Sequence, residues 1–252
     1  MGRFQLDHII VAVRDLAAAT DDWRALGLVA TDGGVHPHGG TRNAIVRFPD
    51  RSFLELMTVV DADAVAKRSP SFLALLAQHP DGAINWALRT SDIERAHAEL
   101  AGKGVRVGPL RSGVGQRDSG RVARWRTFHI DEPGFPFVLE YDGPPTADPS
   151  ADGLPVQGIA AAIVQAIAAP ALAERLATAF DASLDDGRIR FAGGEAVVVA
   201  EPREHPGVVG AELLLSDERR ATAYLRDRDV PAADGWLRDT RLHGLRLRLV
   251  VE

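Results

Sequence analysis

Apolar and polar positions along the chain repeat in one characteristic order. LDHIIVAV, from Leu6, reads as a strand, and Asp15 then stands where a helix cap belongs. Leu16, Ala19, Trp23 and Leu26 recur at helical spacing until Gly27 ends the run. The order returns in INWALRTSDIERAHAELAGKG, with Ile93, Ala96 and Leu100 as the apolar stripe. A shift of 77 positions lays His8 on Asn85, Asp15 on Asp92 and Gly27 on Gly104. Strand-like runs follow each helix: GLVAT, NAIVRF and SFLELMTVV first, then VRVGPL, ARWRTFHI and FPFVLEY. Each copy is therefore βαβββ, the first over 4–60 and the second over 82–142.

Residues 143–155, GPPTADPSADGLP, have the composition of a linker. Beyond them the order recurs weakly in 156–252: the strand GIAAAIVQAI, the helix APALAERLATAF, the strands RIRFAG and EAVVVAEP, then GAELLLSDERRATAYLRDRDV and LRLRLVVE. A shift of 125 carries Asp92 onto Asp217, but Asn85 onto Gly210. The predicted class is α+β, with paired βαβββ modules forming curved mixed sheets. Residues 1–142 make one domain and 156–252 a degenerate second pair.

Two strands carry a carboxylate where apolar residues surround it: Glu55 in RSFLELMTVV and Glu140 in FPFVLEY. An isolated buried carboxylate costs several kcal/mol unless something compensates it. Alternation puts His8 on one face with Ile10 and Ala12, and Asn85 with Ala83 and Ala87. If the copies pair about a pseudo-twofold axis, His8, Asn85, Glu55 and Glu140 converge. An imidazole, an amide and two carboxylates are a donor set for a divalent cation. The competing reading is structural: His8 is a satisfied core residue, and each Glu pairs with Arg47, Arg89, Arg124 or Arg126. Asn85 is a weaker ligand than an imidazole and allows for an open coordination position.

The loop GGVHPHGGTRNAIVRF adds glycines for close backbone approach, and His36, His38, Thr41, Arg42 and Asn43 as donors. A solvated connection would look the same. Arg47 and Arg126 are candidates to anchor an anionic substrate, or surface strand residues. Trp86 and Trp125 read as core or pocket wall, and His97 as solvent-facing.

Composition narrows the classes. The 252 residues are 46% apolar and 25% charged, with a formal charge of −6 and no cysteine. Disulfides, thiolate metal sites and cysteine nucleophiles are excluded. No basic field points to nucleic acid or an anionic membrane. The N-terminus lacks a signal-peptide pattern, and GIAAAIVQAIAAPALA is too short to span a bilayer, so a cytoplasmic protein is expected. No phosphate-binding loop, dinucleotide fingerprint or nucleophile elbow occurs.

The motifs LDHIIVAVRDLAAA, GGVHPHGGTRNAIVRF, FLELM, INWALRTSDIERA and FVLEY resemble those of the vicinal oxygen chelate superfamily, and within it the bacterial glyoxalase-like domain proteins (glyoxalase, bleomycin resistance and dioxygenase type). The resemblance covers residues 4–142 and implies metal ligands at His8, Glu55 and Glu140, with Asn85 at the fourth position, where the superfamily often has His or Gln. It implies a divalent ion (Zn, Ni, Mn, Co or Fe) that polarises the substrate's oxygens and stabilises an enolate-like intermediate, with Glu55 or Glu140 as catalytic base. Isomerase, lyase or epimerase chemistry on a small oxygen-bearing molecule follows. The alternative is a non-catalytic protein that binds or sequesters a small molecule. Either would be a monomer or a homodimer.

Overall fold

A computed structural model of the chain describes residues 4–36, 40–68, 73, 74, 77, 81–116, 122–143, 153–200 and 206–251. Two sheets of eight strands dominate it. The first contains β1 (Gln5–Ala12), β2 (Thr31–Val35), β3 (Thr41–Arg47), β4 (Phe53–Val59), β5 (Gly82–Arg89), β6 (Arg111–Gln116), β7 (Val122–Phe128) and β8 (Phe137–Tyr141). Its order is β2-β3-β4-β1-β5-β8-β7-β6, two four-stranded modules meeting at the antiparallel pair β1/β5. The edge strands β2 and β6 also approach each other, so the sheet curls almost into a barrel.

The second sheet repeats this plan with β9 (Val156–Ala166), β10 (Ser183–Asp185), β11 (Arg188–Arg190), β12 (Glu195–Ala200), β13 (Gly207–Leu215), β14 (Ala232–Ala233), β15 (Trp236–Leu237) and β16 (Arg246–Val250). Its order, β10-β11-β12-β9-β13-β16-β15-β14, matches the first strand for strand.

Among the described residues, the helices include α1 (Leu16–Ala25), α2 (Ala62–Arg68), α3 (Ile93–Gly102), α4 (Ala169–Phe180) and α5 (Glu218–Arg226). The aspartates predicted as caps act as such. Asp15 accepts from the Ala17 and Ala18 N–H groups, Asp92 from Arg95 and Asp217 from Arg220. Gly27 and Gly104 follow α1 and α3 at positive φ, which ends each helix without Cβ strain.

Two expected strands lie elsewhere. β2 is TDGGV rather than GLVAT, and β6 is RSGVGQ rather than VRVGPL. In VRVGPL, Pro109 has no N–H for a ladder and Gly108 N–H instead bonds the His129 carbonyl. The glycine-rich segments pair because neighbouring side chains need the room. A Cβ on Gly33 would stand 2.2 Å from Asn43 Oδ1, and one on Gly113 2.3 Å from the Trp125 ring. Gly113→Ala is therefore expected to displace the Trp125 indole and cost about 1–3 kcal/mol. Thermal unfolding together with the Trp125 fluorescence of the variant checks both effects.

The core is continuous across both halves. Ile9, Val11, Leu54, Leu56, Trp86 and Leu88 from the first sheet join Ile159, Ala162, Val164, Leu213 and Leu247 from the second. Hydrogen bonds also cross between them: Leu6 N–H to the Gly193 carbonyl (2.6 Å), Ile159 N–H to Ser52 Oγ (2.8 Å) and Arg175 Nη2 to Glu132 Oε1 (2.9 Å). Most of the expected linker, 144–152, lies outside the described residues. Among the described residues no helix is long and apolar enough to cross a membrane.

Candidate functional site

The concave face of the first sheet is set by alternation. Leu54 and Leu56 enter the core, so Phe53, Glu55 and Met57 face the hollow. In β8, Val138 enters the core, so Phe137, Leu139 and Tyr141 face the hollow and Glu140 faces away.

Glu55 is 6% exposed, and its Oε1 accepts from Asn43 Nδ2 at 2.6 Å. His8 Nε2 stands 3.6 Å from Glu55 Oε2, and His36 Nε2 stands 4.0 Å from Oε1. Both distances exceed hydrogen-bond length, so two imidazoles and a buried carboxylate bracket a gap. Asn43 Oδ1 is buried without a hydrogen-bond partner among the described residues.

Asp7, which the sequence pattern did not single out, holds His8 in place. A register shift between Leu6 and His8 in the β1/β5 ladder leaves Asp7 as a bulge residue, so neighbouring side chains in the chain can meet. Asp7 is wholly buried, and Oδ1 lies 2.6 Å from His8 Nδ1. The Tyr141 hydroxyl donates to Oδ1 at 2.8 Å, and Arg89 Nη1 donates to Oδ2 at 3.3 Å. With its proton on Nδ1, His8 turns Nε2 towards Glu55. The His8 ring stacks on Phe53 at 4.3 Å and meets the edge of Phe137 at 5.3 Å. The LDH triplet gave no signal for this, since neighbouring side chains of a regular strand point to opposite faces and only the bulge brings them together.

Burial first, then the Asp7 carboxylate, holds the Tyr141 phenol well above its usual range. The folded chain thus keeps a proton that the unfolded chain releases near pH 10. This contribution is complete below about pH 10 and declines as the pH rises further. Tyr141→Phe is expected to flatten that alkaline decline, as measured by Tm against pH.

The remaining expected residues fall into three groups. Thr41 Oγ1 lies 2.9 Å from His36 Nδ1, which places both in the hollow beside Asn43. Arg42 turns outward to pair with Asp32, and Arg47 donates to Thr31 Oγ1 at 2.7 Å. Arg126 bridges Glu94 and Glu140 on the far face, away from the hollow. His38 lies outside the described residues. Trp125 walls the hollow beside His36, whereas Trp86 is in the core. His97 is not solvent-facing: it lies 2.9 Å from the Gly108 carbonyl oxygen and packs against Phe128.

The structure thus brings His8 and Glu55 together but not Glu140 and Asn85. The ladders give the reason. Ile10 pairs with Glu55 in one module and Ala87 with Phe137 in the other, so Phe137 is the counterpart of Glu55. Glu140 lies three residues further on, an odd step that reverses the face. Asn85 spends its Oδ1 on the Trp86 N–H, 2.9 Å away. Among the described residues no three His, Asp or Glu side chains form a group that could hold a metal ion. The side chains present therefore do not fit the four-ligand centre.

Two modules mirrored across β1/β5, repeated in a second sheet, define the paired βαβββ fold of the vicinal oxygen chelate type. The glyoxalase-like domain family matches residues 6–180, and the chain belongs to it. No curated protein matches the sequence. A hypothetical protein from Staphylococcus aureus superposes with TM-score 0.73 at 16% identity, covering 99% of this chain and 100% of that one. A mutant 4-hydroxymandelate synthase from Streptomyces coelicolor gives TM-score 0.67 at 15% identity, covering 100% and 93%. The Mn(II)-bound glyoxalase from Novosphingobium aromaticivorans gives 0.64 at 9%, covering 100% and 83%. At these identities the likeness is one of fold.

Proposed function

We propose that the first sheet is the active site of a glyoxalase-like enzyme that moves a proton beside an oxygen of a small carbonyl or hydroxy-carbonyl substrate, as an isomerase, lyase or epimerase does. The observation that carries this reading is the gap between Glu55 and the two imidazoles. Glu55 is the base that takes a proton from the carbon next to the carbonyl. His8, fixed through Nδ1 by Asp7, presents its unprotonated Nε2 to the same space, where it takes the proton of the substrate's hydroxyl and passes it to the neighbouring carbonyl oxygen while Glu55 returns its own proton to carbon. Phe53, Phe137 and Met57 make the surroundings apolar, which strengthens each of these interactions. A metal ion has no step in this scheme, because only His8 and Glu55 of the four expected ligands gather.

One observation favours a second reading, a non-catalytic binding protein: the second module offers the hollow Ala87 and Phe137 and no ionisable counterpart of Glu55. Deuterium exchange separates the two. A panel of 2-oxo and 2-hydroxy carbonyl compounds is incubated with the protein in D2O, and loss of the α C–H signal is followed by NMR. The enzyme reading expects saturable exchange with at least one compound. Binding of panel members with no exchange in any of them would leave only the sequestering protein.

A further inference from the structure

His36 has no part in the proton transfers of Glu55 and His8, yet it faces the same carboxylate. In the strand order β2-β3-β4-β1, Glu55 on β4 has His8 beside it on β1, while His36 follows β2 on the other side of β3. Each carboxylate oxygen therefore looks at a different imidazole: Oε2 at His8 Nε2, 3.6 Å away, and Oε1 at His36 Nε2, 4.0 Å away. Neither nitrogen has a hydrogen-bond partner among the described residues, and neither is a buried atom, so both are reachable from the gap.

The two rings carry their protons on opposite nitrogens. A carboxylate only accepts, so Asp7 keeps the His8 proton on Nδ1 and leaves Nε2 an acceptor. The partner of His36 Nδ1 is instead the Thr41 hydroxyl, 2.9 Å away. Thr41 is 4% exposed, and its hydroxyl reaches no other acceptor among the described residues. A buried O–H without an acceptor is destabilising, so Thr41 donates to Nδ1. The neutral His36 ring then carries its proton on Nε2 and points an N–H at the gap. Backbone and packing keep it there. His36 N–H donates to the Thr41 carbonyl at 2.8 Å, and the ring meets Trp125 edge-on at a centroid distance of 6.4 Å.

We propose that His36 is a catalytic residue: its Nε2–H holds the substrate's carbonyl oxygen while negative charge builds there, and Thr41 is the positioning residue that sets its tautomer. This role rests on the proton transfer proposed for Glu55. When Glu55 takes the C–H proton, that bond's electron pair becomes the C=C of an enediolate, and the carbonyl π pair moves onto oxygen. His36 hydrogen-bonds this oxyanion and keeps its own proton. His8 then moves the hydroxyl proton onto the same oxygen. The charge left on the second oxygen collapses into a new carbonyl as Glu55 returns its proton to the first carbonyl carbon. An acceptor on one side of the base and a donor on the other thus sort the substrate's two oxygens, hydroxyl to His8 and carbonyl to His36.

Hydroxyacetone and 2-hydroxyacetophenone are the probes, the second matched to the aromatic wall of Phe53, Phe137 and Trp125. His36→Ala is expected to lower α C–H exchange in D2O by about 100- to 1,000-fold, the effect of one lost oxyanion donor, and mostly in kcat rather than KM. His36→Gln, which keeps an N–H donor, should recover part of the loss. Thr41→Val should lower exchange about tenfold, as one lost hydrogen bond does, and Thr41→Ser should restore it. The wild-type protein tests the tautomer without any variant. Above about pH 8, where an ordinary imidazole is neutral, the ring ¹⁵N shifts should show His36 protonated on Nε2 and His8 on Nδ1. Exchange that needs Glu55 but survives His36→Ala would overturn the role of His36 alone. Absence of Glu55-dependent exchange with both probes would overturn the base assignment and this role with it. His36 protonated on Nδ1, or full exchange in Thr41→Val, would overturn the part given to Thr41.

Discussion

Glu55→Gln is expected to lower deuterium exchange by about 100- to 10,000-fold, the range of a lost general base, while Tm holds or rises. The two directions have one cause. A carboxylate at 6% exposure is held in the hollow at a desolvation cost, which a neutral amide of the same shape does not carry. The glutamine Oε1 still accepts from Asn43 Nδ2, so the local bond survives. Glu140→Gln is the matched control. Its partner Arg126 is 44% exposed, and a pair of that kind contributes about 0–1 kcal/mol. Exchange should be unchanged in that variant and Tm should move by no more than a few degrees. Equal loss of exchange in both variants would restore the two-carboxylate site and refute the assignment of Glu55 as sole base.

The contrast between these glutamates marks how far the sequence could be read. Module order, capping aspartates and helix-end glycines were legible because each depends on spacing within a few residues. The pairing of modules across β1/β5 was legible because the repeat implied a pseudo-twofold. Strand register was not. FLELM and FVLEY look alike, yet Pro136 and the preceding turn start β8 so that Phe137 takes the position of Glu55. One offset of three residues turned an expected ligand outward. Asp7 was hidden for a related reason: alternation assigns it to the face opposite His8, and only the bulge in β1 overrides that rule.

Asp7→Ala should be the most destabilising single change in the first sheet. Three donors converge on this carboxylate: His8 Nδ1, the Tyr141 hydroxyl and Arg89 Nη1. Removing it takes the carboxylate from a guanidinium that is only 18% exposed and keeps just the neutral acceptors Gln5 Oε1 and the Asp50 and Arg51 carbonyls, and it unpairs two further polar groups. Breaking a buried ion pair from one side costs about 3–5 kcal/mol. At about 2–4 °C per kcal/mol for a chain of this size, Tm should fall by about 6–20 °C. Tyr141→Phe removes one donor and leaves the acceptor paired, so about 1 kcal/mol is expected. Asp7→Asn falls between them, because the amide keeps the shape and one acceptor but turns an N–H towards another donor. The same series separates positioning from folding. If Asp7 sets which His8 nitrogen carries the proton, the ring ¹⁵N shifts of His8 should change in Asp7→Asn at a temperature where the variant is fully folded. In Tyr141→Phe those shifts should stay close to wild type. An Asp7→Ala protein as stable as Tyr141→Phe, or unchanged His8 shifts in folded Asp7→Asn, would remove Asp7 from the site and leave His8 oriented by its ring contacts with Phe53 and Phe137.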